Sequence, residues 1–335
     1  MRYLSHRFIL LLLLGCLFAS CEQVAGWLDG SWDKSFAIER YDRLQNELGV
    51  TGNFSAMQRM NTVFPKQTQI LVEDVLEIGS VTDPDMKDKL KGCLGDTAML
   101  ILMADGESKF GDMKQLNRDF TDVLKRMSKE LPQLPHPKVY AQFSGLNESV
   151  VVSDSLIGFS LDKYMGADYP LYKKYFYDNQ IATMVPERIV SDCVFFYLRD
   201  NYPLPESSEG TLLDNMLHLG KINWMTLKLT GGDALENMLG YSKADEQWIK
   251  ENYQDVVDYV MSFQHSTDPQ VLRNLLSPTY TVTINGQKAP ALLGTWLGYQ
   301  MVNHYMKNHK SLSLQQLAET TDLSSMVSFY NYKMN

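Results

Sequence analysis

Met184-Val185-Pro186-Glu187-Arg188-Ile189-Val190-Ser191-Asp192-Cys193-Val194-Phe195-Phe196-Tyr197-Leu198 reads as a helix that runs from an open end into a core. Pro186 fits in a first turn, where its missing N–H removes no helical hydrogen bond. Ile189, Cys193, Phe196 and Tyr197 recur at spacings of three and four and share one apolar stripe. Glu187 and Asp192 fall on the polar side. This helix divides the chain. Strand candidates lie just before it, and nearly everything after it is helical.

The strand candidates are 139–144, 149–153 and 156–161. Val150, Val151 and Val152 are β-branched, and Ile157, Phe159 and Leu161 alternate along one face. The turn Ser144-Gly145-Leu146-Asn147 and the shorter Ser153-Asp154-Ser155 suggest two hairpins, hence a small antiparallel sheet. Sheet first, then a central helix, is the order found in zincin folds. Upstream, helices are expected over 42–48, 55–63, 66–78, from Asp83-Pro84 to Gly92, after Asp96, and from Asp112 to Leu131. Downstream, the loop Tyr202-Pro203-Leu204-Pro205-Glu206-Ser207-Ser208 marks a subdomain boundary. Helices then follow over 211–229, 246–263 behind the capping box that opens at Ser242, after Asp268-Pro269, over 291–309 and after Ser313, with a possible strand at 279–285. The fold expected is α+β, mainly helical and zincin-like. Its parts are an N-terminal α/β subdomain over 35–200 and a helical C-terminal subdomain over 201–335.

Residues 1–20 read as a signal peptide. Arg2 and Arg7 form a basic end, and the apolar run from Phe8 to Phe18 is too short for a membrane helix. Leu17-Phe18-Ala19-Ser20-Cys21 then resembles a bacterial lipobox, which makes Cys21 the lipidation site and 21–34 a lipidated tether; Cys16 is a second candidate. Acylation anchors a protein without a membrane helix. Removal of the leader lowers the formal charge from −9 to −11 and leaves 315 residues. An acidic chain of this kind is a poor nucleic-acid binder. Outside the leader stand Cys93 and Cys193. An exported compartment permits their pairing, but the place of Cys193 on an apolar stripe favours a buried thiol.

A zinc-peptidase helix carries His-Glu-x-x-His, two imidazoles one turn apart with the Glu as general base. The same frame here reads Pro186-Glu187-Arg188-Ile189-Val190. The Glu is present and neither flanking position carries a donor. Beyond the leader the histidines are His136, His218, His265, His304 and His309, and no two are four apart. No Gly-rich phosphate loop or Gly-x-Ser-x-Gly elbow is present, and no metal or cofactor is expected. Carboxylates remain. Glu187, Asp192, Asp162 and Asp214 either pair as acids for hydrolysis or stay solvated on helix surfaces. His218 is the first residue to examine for any site built from other groups. Tyr172, Tyr175, Phe176 and Tyr177, with Trp224, either line a groove for a peptide or glycan or belong to the core.

Four stretches resemble the gliding-motility lipoprotein GldB family of the Bacteroidota. They are Phe159 to Pro170, Met184 to Asp192, Thr211 to Asp214 with Gly220-Lys221-Ile222, and Leu293 to Val302. The resemblance runs in order from about Arg40 to the C-terminus. That family is distantly similar to zincin-like predicted zinc peptidases, in which a later helix adds a third ligand. The resemblance implies that the three ligand positions are Pro186, Val190 and Leu219, all without a donor atom. It implies a non-catalytic, lipid-anchored scaffold or binding protein of the cell envelope, on the periplasmic face of the inner or outer membrane. Its expected partners are the membrane, through the N-terminal anchor, and other envelope proteins of the gliding and type IX secretion machinery. The alternative is a metal-independent hydrolase, or a peptide- or glycan-binding lipoprotein, using the degenerate cleft.

Overall fold

Residues 36–232 and 234–327 are described in a computed structural model of the protein. The expected leader, Cys21 and the tether lie outside them. Among the described residues six α-helices precede the sheet. α1 (Tyr41–Thr51) stops at Gly52, whose left-handed backbone (φ 62°) lets its N–H return to Leu48 O. α2 (Phe54–Val63) opens on Asn53, and α3 (Pro65–Ile70) carries Pro65 in its first turn. The single helix expected over 66–78 continues instead as a π turn, Leu71–Val75, which keeps Leu71, Val72 and Val75 buried together. α4 (Met86–Leu94) starts later than Asp83-Pro84 suggests, because the Asp83 carboxylate takes the N–H of Ser80 in the preceding turn. α5 (Thr97–Phe110) is capped by Asp96, and Asp112 accepts from Lys114 N at the start of α6 (Lys114–Glu130).

The sheet consists of β1 (Lys138–Gln142), β2 (Val150–Ser153) and β3 (Leu156–Ser160), in the order β1-β3-β2. β2 and β3 form the expected hairpin, turned at Asp154 (φ 52°). The other expected hairpin is absent: β1 pairs with β3 in parallel, so the sheet is mixed and not antiparallel. The cause lies in the loop after β1. Gly145 and Leu146 both take left-handed backbone (φ 67° and 68°). The carboxylate of Asp162, just beyond β3, accepts the N–H groups of Ser144 (3.0 Å) and Leu146 (2.6 Å). The loop is thereby pinned across the end of β3, and β2 is delivered to its far side. Glu39 covers the outer edge of β1, donating to Val139 O (2.9 Å) and accepting from Ala141 N (3.0 Å).

Two short helices, α7 (Tyr172–Tyr175) and α8 (Asp178–Ile181), lead to a 3₁₀ turn, Pro186–Arg188, and then α9 (Ile189–Asn201). Ile189, Cys193 and Tyr197 are fully buried, and α9 lies against β2 and β3. α10 (Leu212–Thr230) opens on a reciprocal capping box of Thr211 and Asp214. α11 (Leu235–Leu239) and α12 (Lys243–Glu251) follow, and the helix expected over 246–263 breaks at Asn252 before α13 (Tyr253–Ser262). α14 (Pro269–Leu276) is capped by Asp268. The possible strand at 279–285 shrinks to β4 (Thr283–Ile284), paired with β5 (Gln287–Lys288). α15 (Leu293–Asn308), α16 (Leu314–Glu319) and a 3₁₀ turn, Leu323–Met326, follow.

α10 and α15 cross at glycines. A Cβ on Gly220 would strike the Gly298 backbone, and one on Gly298 would strike the Met216 carbonyl. Only hydrogen at both positions allows this approach, and overpacking here would cost about 1–3 kcal/mol or more. Beside the crossing, buried Lys221 donates to Ala318 O (3.1 Å) and Thr320 O (3.2 Å), so an ammonium meets the last carbonyls of α16. Burial lowers its pKa to about 8. The described residues from Ile38 to Val327 belong to one compact unit, with α9 and α10 packed together across the loop at 202–208. Cys93 and Cys193 are both free thiols, and Cys193 is buried.

Candidate functional site

The site is built by the segment that enters α9. After β3 a 3₁₀ turn, Leu161–Lys163, carries the buried Asp162 that pins the β1–β2 loop. Burial pushes the Asp162 carboxyl upward, against the pull of the N–H groups of Ser144 and Leu146. The Tyr172 hydroxyl donates to Asp162 O (2.8 Å) and accepts from Met165 N (2.7 Å), and Gly166 N bonds to Met184 O (3.0 Å). These bonds close residues 162–184 into a loop with fixed ends. The loop places Tyr164 opposite the first turn of α9. Pro186 then opens a 3₁₀ turn, with Arg188 N bonded to Val185 O (3.0 Å).

Arg188 and Asp192 stand one turn apart and form an ion pair through Arg188 Nη2 and Asp192 Oδ1. Tyr164 donates to Asp192 Oδ2 (2.9 Å). Burial and the neighbouring Asp192 carboxylate hold the Tyr164 phenol well above its usual range, so it stays a donor. Arg188 is 7% exposed. Its Nε and Nη1 are buried without a hydrogen-bond acceptor.

This trio lines a cavity of about 350 Å³ between α9 and α10, closed by the 176–184 segment, α11 and the ends of α14 and α15. That volume is at the lower end of the range for small-molecule sites. Phe176, Phe195, Phe196, Leu219 and Leu239 form much of its wall. Lys163 and Arg199 also line it, each against an aromatic face: Lys163 Nζ lies 4.1 Å from the Phe176 ring centre and Arg199 lies 5.3 Å from that of Phe196. Burial lowers the Lys163 pKa, with Asp162 opposing it. Exposed Tyr175, Tyr177 and Tyr280 belong to the same loops as the lining residues Phe176 and Pro278, which Asn179 ties together by donating to Pro278 O (2.6 Å).

The residues singled out from the sequence are spread over several places. Glu187 and Val190 border a different, polar groove, with Asp119, Asp122 and Arg126 of α6 and the residues Thr230 to Gly232 that end α10. Leu219 lines the Arg188 cavity instead. The three positions Pro186, Val190 and Leu219 therefore do not converge on one hollow. Of the four carboxylates, Asp192 alone lines the cavity. Asp162 is sealed in its loop. Asp214 caps α10, where bonds from Thr211 and Ser208 outweigh burial and lower its pKa. His218 is 5% exposed, with Nδ1 buried and unbonded, and burial brings its pKa down to about 4. Tyr172 is fully buried and so belongs to the core, and half-buried Trp224 donates through Nε1 to Asn303 on α15 (3.3 Å). Among the described residues no group of three or more His, Cys, Asp or Glu side chains is placed to hold a metal ion.

Sequence reasoning missed Arg188, Lys163, Tyr164 and Arg199. One signal was available. Arg188, Asp192, Phe195 and Arg199 recur at four, three and four along the helix, a second stripe beside the apolar one.

A family model described as gliding motility protein GldB matches residues 29–334. Neither a curated protein nor a solved structure matches the chain.

Proposed function

The chain belongs to the gliding motility GldB family, and from that premise we propose that it works in the cell envelope as a non-catalytic binding component of the gliding machinery. The binding element is the cavity beside Arg188. Lipidation at Cys21 tethers the folded body to a membrane, and among the described residues no helix is long and apolar enough to cross one.

The observation that carries this reading is the state of the cavity face of α9. Both oxygens of Asp192 are engaged, by Arg188 and by Tyr164. A carboxylate held so is a poor general base, because proton uptake would break a charge-assisted bond. The one carboxylate in the peptidase frame, Glu187, borders another groove. A peptidase of the zincin type needs donors and base to converge on one water. Pro186, Val190 and Leu219 offer no donor and do not converge. An apolar-walled cavity with a few fixed polar groups suits recognition of a small ligand or of one end of a partner.

The test is metal analysis and peptide hydrolysis on protein purified without chelator or affinity tag. The expected result is sub-stoichiometric zinc and no cleavage. About one zinc per chain, removable with loss of a measurable hydrolysis, would overturn the non-catalytic reading.

A further inference from the structure

We propose that the Arg188 cavity takes an anionic amphiphile: one acidic head, carboxylate or phosphate, on an apolar chain. The proposal rests on the binding reading above and names its ligand class.

Three observations lead to it. The first is charge. Three cationic side chains, Lys163, Arg188 and Arg199, line the cavity against one carboxylate, Asp192. This excess occurs on a chain whose formal charge is −9, so it is local and not a property of the surface at large. A low-dielectric hollow lined by one sign of charge concentrates ligands of the other.

The second is the state of Arg188. Its guanidinium is more than nine-tenths buried, and two of its three nitrogens have no acceptor. Buried donors left unmade are costly, and a charged group more so. Across the cavity, Thr295 Oγ1 is also buried without a partner. An acidic head that draws the guanidinium toward the hollow supplies acceptors that Asp192, bound at Nη2, does not. Lys163 and Arg199 are held against aromatic rings. Lys163 Nζ also donates to Leu146 O (3.2 Å) and Asn147 O (3.4 Å), and Arg199 stands at the far end of the α9 wall, so these two add positive potential to the hollow while Arg188 supplies the free donors.

The third is the wall. Between the cations at Arg188 and Arg199 the α9 stripe is aromatic, Phe195 and Phe196, and Leu219, Leu239 and Leu292 face it from other elements. Eleven residues of helix separate the two arginines by about 16 Å. A small hydrophilic anion would leave this length of apolar wall uncovered. A chain of about ten to twelve carbons covers it, and removing its methylenes from water favours binding.

The experiment uses envelopes containing the full chain, irradiated with a photoreactive dodecanoate and mapped by mass spectrometry. Label is expected on peptides from 172–184, 188–199 and 235–239. Excess dodecanoate or dodecyl phosphate should suppress it, while dodecanol, which lacks the charge, should be about tenfold less effective. Stronger competition by dodecanoate assigns the head to a free fatty acid, and stronger competition by dodecyl phosphate assigns it to a phosphate-headed lipid. Arg188→Met should cut labelling about tenfold. Arg188→Met combined with Asp192→Leu should do the same without leaving a lone buried charge. Label spread evenly over the surface, equal competition by dodecanol, or labelling unchanged in both variants would overturn the proposal. If labelling fails while cells still require Arg188 and Asp192, the ligand class falls and the binding reading stands.

Discussion

The start of α9 presents two faces that differ in almost every physical respect. On one, Glu187 and Val190 border a polar groove with α6 and the end of α10. On the other, Arg188 and Asp192 are locked to each other and to Tyr164 in an apolar-walled cavity. The faces are set by residues one or two positions apart in sequence. A helix turns about 100° per residue, so a shift of a single residue moves a motif from one hollow to another. Chemical meaning here follows from which face a residue occupies more than from which residue it is.

The largest expected effect comes from breaking the cavity face. Asp192→Ala leaves the Arg188 guanidinium buried without its carboxylate, and should lower stability by about 3–5 kcal/mol. The double change Arg188→Met with Asp192→Leu should cost far less, because replacing both charges by side chains of similar volume is often neutral. Chemical denaturation of the two variants checks the contrast.

The next effect lies on α10, one residue before the cavity-lining Leu219. His218 is buried neutral, with a folded pKa of about 4 against an ordinary 6.5. The unfolded chain therefore binds more protons between these values, and stability rises with pH across them. Its contribution should be complete above about pH 6.5 and fall by about 3 kcal/mol as pH drops toward 4. Denaturation midpoints of the wild type and His218→Gln over that interval measure the difference in slope. A slope shared by both would place the acid sensitivity elsewhere.

Smaller again is Tyr164→Phe, which removes the phenol from Asp192 Oδ2. A loss of about 1 kcal/mol is expected, and a thermal melt resolves it. The smallest effect belongs to the other face. Glu187→Gln should change stability by less than about 0.5 kcal/mol, as surface substitutions usually do. A loss as large as that of Asp192→Ala would erase the distinction between the faces.

Much of the helical framework is legible in the sequence. Asp96, Thr211, Ser242, Asp268 and Ser313 all cap helices where short polar side chains precede apolar runs. Local hydrogen bonds decide such ends, so local sequence reveals them. The β2–β3 hairpin is legible for the same reason. The parallel pairing of β1 is not, because it depends on a carboxylate at Asp162 that acts on a loop eighteen residues earlier at Ser144. The cavity was hidden in another way. The peptidase frame points to Pro186, Glu187 and Val190, while the i, i+4 pair Arg188 and Asp192 sits two residues out of frame. Leu219, which the family resemblance implies as the third ligand position, lines the other hollow, opposite the pair.

Allelic replacement in a gliding host tests the central claim most directly. The full chain carrying Arg188→Met with Asp192→Leu, or carrying Glu187→Gln, replaces the wild type at matched envelope levels, and colony spreading is measured. A binding role for the cavity face predicts loss of spreading in the double variant and wild-type spreading with Glu187→Gln. Spreading abolished by Glu187→Gln and retained by the double variant would contradict it.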